Sequence, residues 1–215
     1  AKMNYIQITY DGDRNIFAFN GRLSNVNASS LPFIDRHAKD ALKKIKIVSA
    51  SVSYANKTGI VMGNSVKQGL VFRGKSKIGS SSESFYLEHR PHDRIDYISA
   101  TIKNAHVKNT GIIPSQVASI MPSVKIVKAN FKYINKTAVI NGQRIEKGVT
   151  ISGKMSIGNV TSTSLIHYEP ANKFFYSKVF VNRISLAQLV PNISRISGKA
   201  EDFFNMAKCY FQDAK

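Results

Sequence analysis

The side chains most able to do chemistry in this chain are five histidines, one cysteine and thirteen carboxylates. Their spacing serves none of the usual chemistries. His37, His89, His92, His106 and His167 are scattered, with no His-x-x-x-His or Cys/His pattern that could hold zinc. His89 and His92 beside Asp93 read as a solvated turn between strands. Cys209 lies on the apolar side of a terminal stretch and reads as a packed thiol, and a lone cysteine excludes an internal disulfide framework. Gly74-Lys75 sits inside a strand pattern and not ahead of a helix, so it is no phosphate loop. The acidic residues are too few and too dispersed for a two-metal site. The expectation is a non-enzyme with no metal and no cofactor.

What remains is positive charge interleaved with aromatics. The chain of 215 residues carries a net charge of +18, which repels itself in a compact state and calls for a polyanionic partner. The charge is concentrated. Between Ala41 and Ser82 there are eight Lys/Arg and no acid, and between Ser123 and His167 only Glu146 is acidic. These stretches hold an internal duplication: Lys46–Gly79 returns as Lys125–Gly158 at one constant offset, without a gap. Shared positions include Tyr54/Tyr133, the Asn-Lys-Thr triplets at Asn56 and Asn135, Gly69/Gly148, Gly74/Gly153 and Lys75/Lys154.

Period-2 alternation puts Arg73, Lys75 and Lys77 on one strand face, with Phe72, Gly74, Ser76 and Ile78 on the other. In the second copy Lys128, Asn130 and Lys132 share a face, with Val127, Phe131 and Tyr133 opposite. Candidate phosphate contacts are therefore Lys46, Lys57, Arg73, Lys75 and Lys77, then Lys125, Lys128, Lys132, Lys136 and Lys154. Candidate base-stacking aromatics are Tyr54, Tyr86, Tyr133, Phe174 and Tyr176. With charge on sheets and no recognition helix, single-stranded RNA or DNA suits the pattern better than duplex. The rival expectation is a viral matrix or structural protein that binds anionic membrane and self-assembles.

The elements that must position these residues are legible in outline. NYIQITY and NIFAFNGRLSNV read as two strands around Asp11-Gly12-Asp13, followed by a helix through LPFIDRHAKDALKKI. The first block then gives strands at 45–54, 69–79, 84–90 and 95–107 and a short helix PSQVASIM. The second block retraces this path, and an apolar stripe of Phe203, Phe204, Ala207 and Phe211 predicts a closing helix from about Ala200. The expected fold is α+β, one domain over 1–215, with antiparallel sheets. It comprises a ββα lead-in (3–44), two tandem ββββα repeats (45–122 and 124–201) and a C-terminal helix (200–215). Met3 reads as the native start, with no basic-then-apolar leader before it, and a cytoplasmic location is expected. The five Asn-X-Ser/Thr sequons fit an Asn- and Ser-rich composition rather than glycosylation.

A basic tandem ββββα chain with a closing helix resembles the Whirly family of single-stranded nucleic-acid-binding proteins. The family's Lys-Gly-Lys-Ala-Ala-Leu motif has a loose counterpart in Arg73-Gly74-Lys75-Ser76-Lys77-Ile78 and a weaker one in Ser152-Gly153-Lys154. A messenger-RNA-binding bacteriophage branch of that family fits a basic chain of this size, with the host cytoplasm as its location. The resemblance, over about residues 45–212, implies two sheets packed near right angles, subunits held by helices, a tetramer, and nucleic acid lying across sheet edges.

Overall fold

The structure, a computed structural model, describes residues 2–34, 39, 42–78, 81–112, 123–157, 160–169, 174–180 and 207–211. It is a mixed α+β fold dominated by antiparallel sheet, with a short α-helix, a 3-10 turn at Ala28–Ser30 and helical residues at Lys39 and Leu42 among the described residues. The long strands are β1 (Lys2–Asp11), β2 (Ile16–Asn27), β3 (Lys46–Ala55), β6 (Gly69–Ile78), β7 (Ser81–Arg90) and β8 (Ile95–His106). They continue as β9 (Val124–Ile134), β12 (Gly148–Ile157), β13 (Val160–Glu169), β14 (Phe174–Phe180) and β15 (Ala207–Phe211). Two small hairpins, β4 (Gly59–Val61) with β5 (Asn64–Val66) and β10 (Ala138–Ile140) with β11 (Gln143–Ile145), fill the excursions before β6 and β12. The helix α1 is a single turn, Val107–Thr110, closed by Gly111 in the left-handed region.

All eleven long strands form one sheet in the order β1-β2-β3-β6-β7-β8-β9-β12-β13-β14-β15. Long strands that follow one another in the chain lie side by side and antiparallel up to β14. The two sheets implied by the resemblance are here one hydrogen-bonded sheet. The reason is that β8 and β9 pair from Tyr97/Ile134 to His106/Lys125, which carries the ladder across the join between the repeats.

The offset that takes Lys46 to Lys125 reaches further back than the duplicated block. It carries the start of β1 at Lys2 to that of β7 at Ser81, and then to that of β13 at Val160. It likewise relates the starts of β2, β8 and β14, at Ile16, Ile95 and Phe174. The opening pair of strands is thus another copy of the strands that follow the first block. Backbone detail repeats too: Asn15 and Arg94 both sit at φ 52, and Met62 and Asn141 both at φ 48.

The Asn-Lys-Thr triplets now have a structural cause. Asn56 Oδ1 accepts from the Phe17 amide at 2.8 Å, and Asn135 Oδ1 from the Asp96 amide at 3.0 Å. Each clips its loop to the start of the strand beside it. Thr58 and Thr137 hydroxyls accept the amides of Gln68 and Lys147, both at 3.0 Å, and close the hairpin excursions.

Gly74 and Gly153 mark where the sheet bends. A Cβ at Gly74 would lie 2.6 Å from the Ala50 Cα, and one at Gly153 would lie 2.6 Å from the Ala129 Cα. A register shift accompanies each, at Ile47/Ser49 and at Lys154/Met155. A glycine next to a bulge curves a strand pair. One face of the sheet carries a single apolar cluster that draws on Leu23, Ile47, Phe72, Leu87, Ile102, Phe131 and Ile151, closed by Leu31, Ile34, Leu42 and Ile45 from the β2–β3 connection. A smaller cluster of Ile95, Tyr97, Ile134 and Ile140 lies under the β10–β11 hairpin.

The expected C-terminal helix is corrected where it is described: Ala207–Phe211 is strand β15, parallel to β14. Its Cys, Tyr and Phe favour extended backbone, and the outer edge of β14 offers unpaired amides and carbonyls for them to satisfy. Phe203 and Phe204 lie outside the described residues, as do PSQVASIM and residues 35–38, 40 and 41 of the helix expected over 31–45; within that stretch Lys39 and Leu42 are helical and 31–34 are not.

Candidate nucleic-acid interface

Opposite the core face, cross-strand rows bring together residues far apart in sequence. Arg22, Ser51, Arg73, Tyr86, Ser99, Lys132, Thr150, His167 and Tyr176 stand directly opposite one another from β2 to β14. A second row holds Lys103, Lys128, Lys154 and Thr163 across β8, β9, β12 and β13. Lys46 faces Lys77 between β3 and β6, and Lys75 lies between Ser49 and Ser84. Facing residues on adjacent strands sit about 5 Å apart at their Cβ atoms, so these lysines are close neighbours. Lys46, Arg73, Lys75, Lys77, Lys125, Lys128 and Lys154 are exposed, and Lys132 is half-buried. Alternation assigned the faces of Arg73, Lys75 and Lys77 and of Lys128 and Lys132 as the structure has them, since Phe72, Ile78, Phe131 and Tyr133 are buried opposite.

Charge is segregated along the strand axis. Among the described residues, Asp11, Asp13, Glu88, Asp93, Asp96, Glu146 and Glu169 all lie at the end of the sheet that bears the small hairpins. Of the described acids Glu83 alone lies at the lysine end, where its Oε2 accepts from Lys103 Nζ at 2.9 Å. Lys57 and Lys136 fall at the acidic end. Lys136 Nζ is engaged there, donating to the Asp93 carbonyl at 3.0 Å. These two are therefore not brought together with the other candidate cations.

The aromatics divide in the same way. Tyr133 is 3% exposed and packed in the core, so it presents no face to a base. Tyr54 stands on the core face, its ring stacked on Phe19 at 5.5 Å. Tyr86 and Tyr176 do lie in the polar row, both half-buried. The Arg73 guanidinium sits 5.5 Å from the centre of the Tyr86 ring. The Tyr86 hydroxyl donates to Glu88 at 2.8 Å, and burial together with that carboxylate pushes its pKa to about 12. The Phe174 side chain lies outside what is described.

Glu88 anchors the acidic end. It is fully buried and takes Arg90 Nε at 2.6 Å and Lys67 Nζ at 2.9 Å. Burial pushes its carboxyl up, but the hydrogen bonds from Arg90, Lys67 and Tyr86 outweigh that and hold it below the ordinary value. Next to it, His89 Nδ1 meets Asp96 Oδ1 at 2.6 Å, with Phe33 stacked on the imidazole at 4.6 Å. The pair thus sits packed between strands, in place of the solvated turn expected for His89. His92 is exposed in that turn.

Sequence reasoning missed Arg22 and Lys103. Alternation along β2 and β8 carried the signal, since Leu23 and Ile102 are buried beside them. No group of three or more His, Cys, Asp or Glu among the described residues is placed to hold a metal ion, and no helix there is long and apolar enough to cross a membrane. No family model, curated protein or solved structure matches the chain.

Proposed function

We propose that the protein is a non-enzymatic single-stranded nucleic-acid-binding protein, with RNA its favoured ligand, that lays phosphates along the lysine rows of its sheet. One observation carries this reading: Lys103, Lys128 and Lys154 face one another on three successive strands, and Lys46 faces Lys77. Like charges directly opposite on neighbouring strands are destabilising. Glu83 reaches Lys103, and no ion pair with a described carboxylate is made by Lys46, Lys77, Lys128 or Lys154. A chain of phosphates relieves that repulsion. The hydroxyls of Ser51, Ser99 and Thr150 in the adjoining row suit sugar hydroxyls and splayed base edges, and Tyr86 and Tyr176 remain as stacking partners.

A single strand fits because the rows run across the strands over a broad sheet face and the described helix is one turn, too short to read a groove. The tandem Whirly-like ββββα unit, its bacteriophage branch and a tetramer belong to the proposal as well. Four long strands recur in each repeat, which supports the unit, although the ladder through β8 and β9 departs from two separate sheets.

The test is a titration of nuclease-treated protein with a labelled uridine oligomer at increasing NaCl. Log K falls linearly with log salt, at a slope of about −0.7 for each phosphate contacted. Absence of binding, or binding that ignores salt, overturns the reading. Flotation with anionic liposomes at matched salt, without any oligomer shift, assigns the lysines to a membrane surface instead.

A further inference from the structure

Among the described residues strand β1 is an edge, hydrogen-bonded to β2 alone. Its counterparts one and two repeats further along the chain, β7 and β13, each have a second antiparallel neighbour, β6 and β12. Burial records the difference. Ile6 and Ile8 are 54% and 64% exposed, whereas Phe85 and Leu87 at the same places in β7 are 3% and 0% exposed. In β13, Ile166 at the place of Ile8 is 3% exposed. Ile6, Ile8 and Tyr10 stand opposite Gly21, Phe19 and Phe17, on the face that carries Leu23 and the main core. The core face therefore runs out to this edge without cover from any described strand.

Natural edge strands are commonly blunted by lysine, proline or a bulge. β1 lacks the first two along its middle: in a chain of net charge +18, residues 3–10 are uncharged and contain no proline. The one irregularity lies at Met3/Tyr5, and the ladder to β2 is regular from Tyr5 to Asp11.

We infer that β1 is a pairing edge and that its occupant is β1 of a second copy of this chain, aligned antiparallel about a two-fold axis. Inside the chain, the equivalent edges are covered by antiparallel strands of the same protein, and a second copy offers the same long uncharged edge. Antiparallel alignment sets the Lys2 end of one strand beside the Asp11 end of the other, and places the charge-free run between them. A two-fold contact uses the same surface on both partners and closes as a dimer, without growing into a fibre. The joined sheet carries the lysine rows of both copies.

The inference does not depend on nucleic-acid binding and is tested without it, by sedimentation velocity of nuclease-treated protein over a concentration series. A doubled mass is expected as the first step of association, two such dimers making up the proposed tetramer, with the associated fraction rising as NaCl screens strongly basic chains. The Ile6→Lys/Ile8→Lys variant, changed at exposed positions, is expected to stay monomeric with an unchanged circular dichroism spectrum. Amide exchange in Tyr5–Tyr10 of the unaltered protein is expected to slow as concentration rises. A wild-type monomer throughout, a variant that still dimerises, open-ended growth, or exchange in β1 that ignores concentration overturns the inference.

Discussion

Lys128 is the residue at which stability and binding pull in opposite directions. It is exposed between Lys103 and Lys154, so its charge is unfavourable for the folded chain and favourable for a bound polyanion. Lys128→Ala is therefore expected to stabilise the protein by about 0.2–1 kcal/mol in urea unfolding. It should also weaken oligonucleotide binding and reduce the salt slope by about 0.7. A purely structural lysine would move neither the affinity nor the slope. Glu88 is the opposite kind of residue, a buried carboxylate satisfied by two cations and a phenol. Because its folded pKa is lowered from 4.5, its contribution is fully present above that pH and is lost as pH falls through the lower, folded value. His167 acts at higher pH: burial holds its imidazole below 6.5, so the unfolded chain binds that proton more readily and stability declines as pH drops below 6.5. Glu88→Gln is expected to cost about 2 kcal/mol at neutral pH. In thermal melts across pH it should remove the loss below pH 4.5 and leave the His167 arm.

At the scale of elements, the identities shared by the two blocks turn out to be mostly architectural. Asn56 and Asn135 clip loops, Thr58 and Thr137 close hairpins, and Gly74 and Gly153 admit the neighbouring strand. Gly74→Ala and Gly153→Ala are each expected to cost about 1–3 kcal/mol in chemical denaturation, because the added methyl meets backbone that cannot yield. Gly12→Ala, whose Cβ would meet nothing nearer than 3.6 Å, should stay within about 0.5 kcal/mol. The Gly-Lys pair thus couples a bend to an exposed cation on the next residue. The strands of β3, β6, β8, β9 and β12 could be read from alternation, which depends only on one face being buried. Alternation marks no strands for the β4–β5 and β10–β11 hairpins, since three-residue strands leave too little of it to see. The final strand was read as helix, because a short apolar run fits both periods and only a partner edge decides between them.

For the whole molecule, the single repeat spacing organises both the sheet and the charge. All the described acids but Glu83, which look dispersed in the chain, gather at one end of the sheet, and lysines from β3, β6, β8, β9 and β12 gather toward the other. Lys57 and Lys136 looked equivalent to the remaining cations in sequence and are separated from them, because their triplets sit at the opposite end of the strands. Tyr133 looked like Tyr54 and is buried, because the core closes over it in the middle of the sheet. Tyr54, near the uncovered β1 edge, is only half-buried.

The sequence by itself determined the excess of positive charge, the duplication, the long strands up to β14 and which side chains of β6 and β9 turn away from the core, because these follow from composition and from a period of two. Only the tertiary structure decided which strands lie side by side. That pairing sets Lys128 between two lysines, turns an isolated Glu88 into an anchored ion cluster and leaves β1 with one described neighbour where β7 and β13 have two. Neighbours across a sheet are fixed by backbone hydrogen bonds between segments far apart in the chain, and no local pattern encodes them.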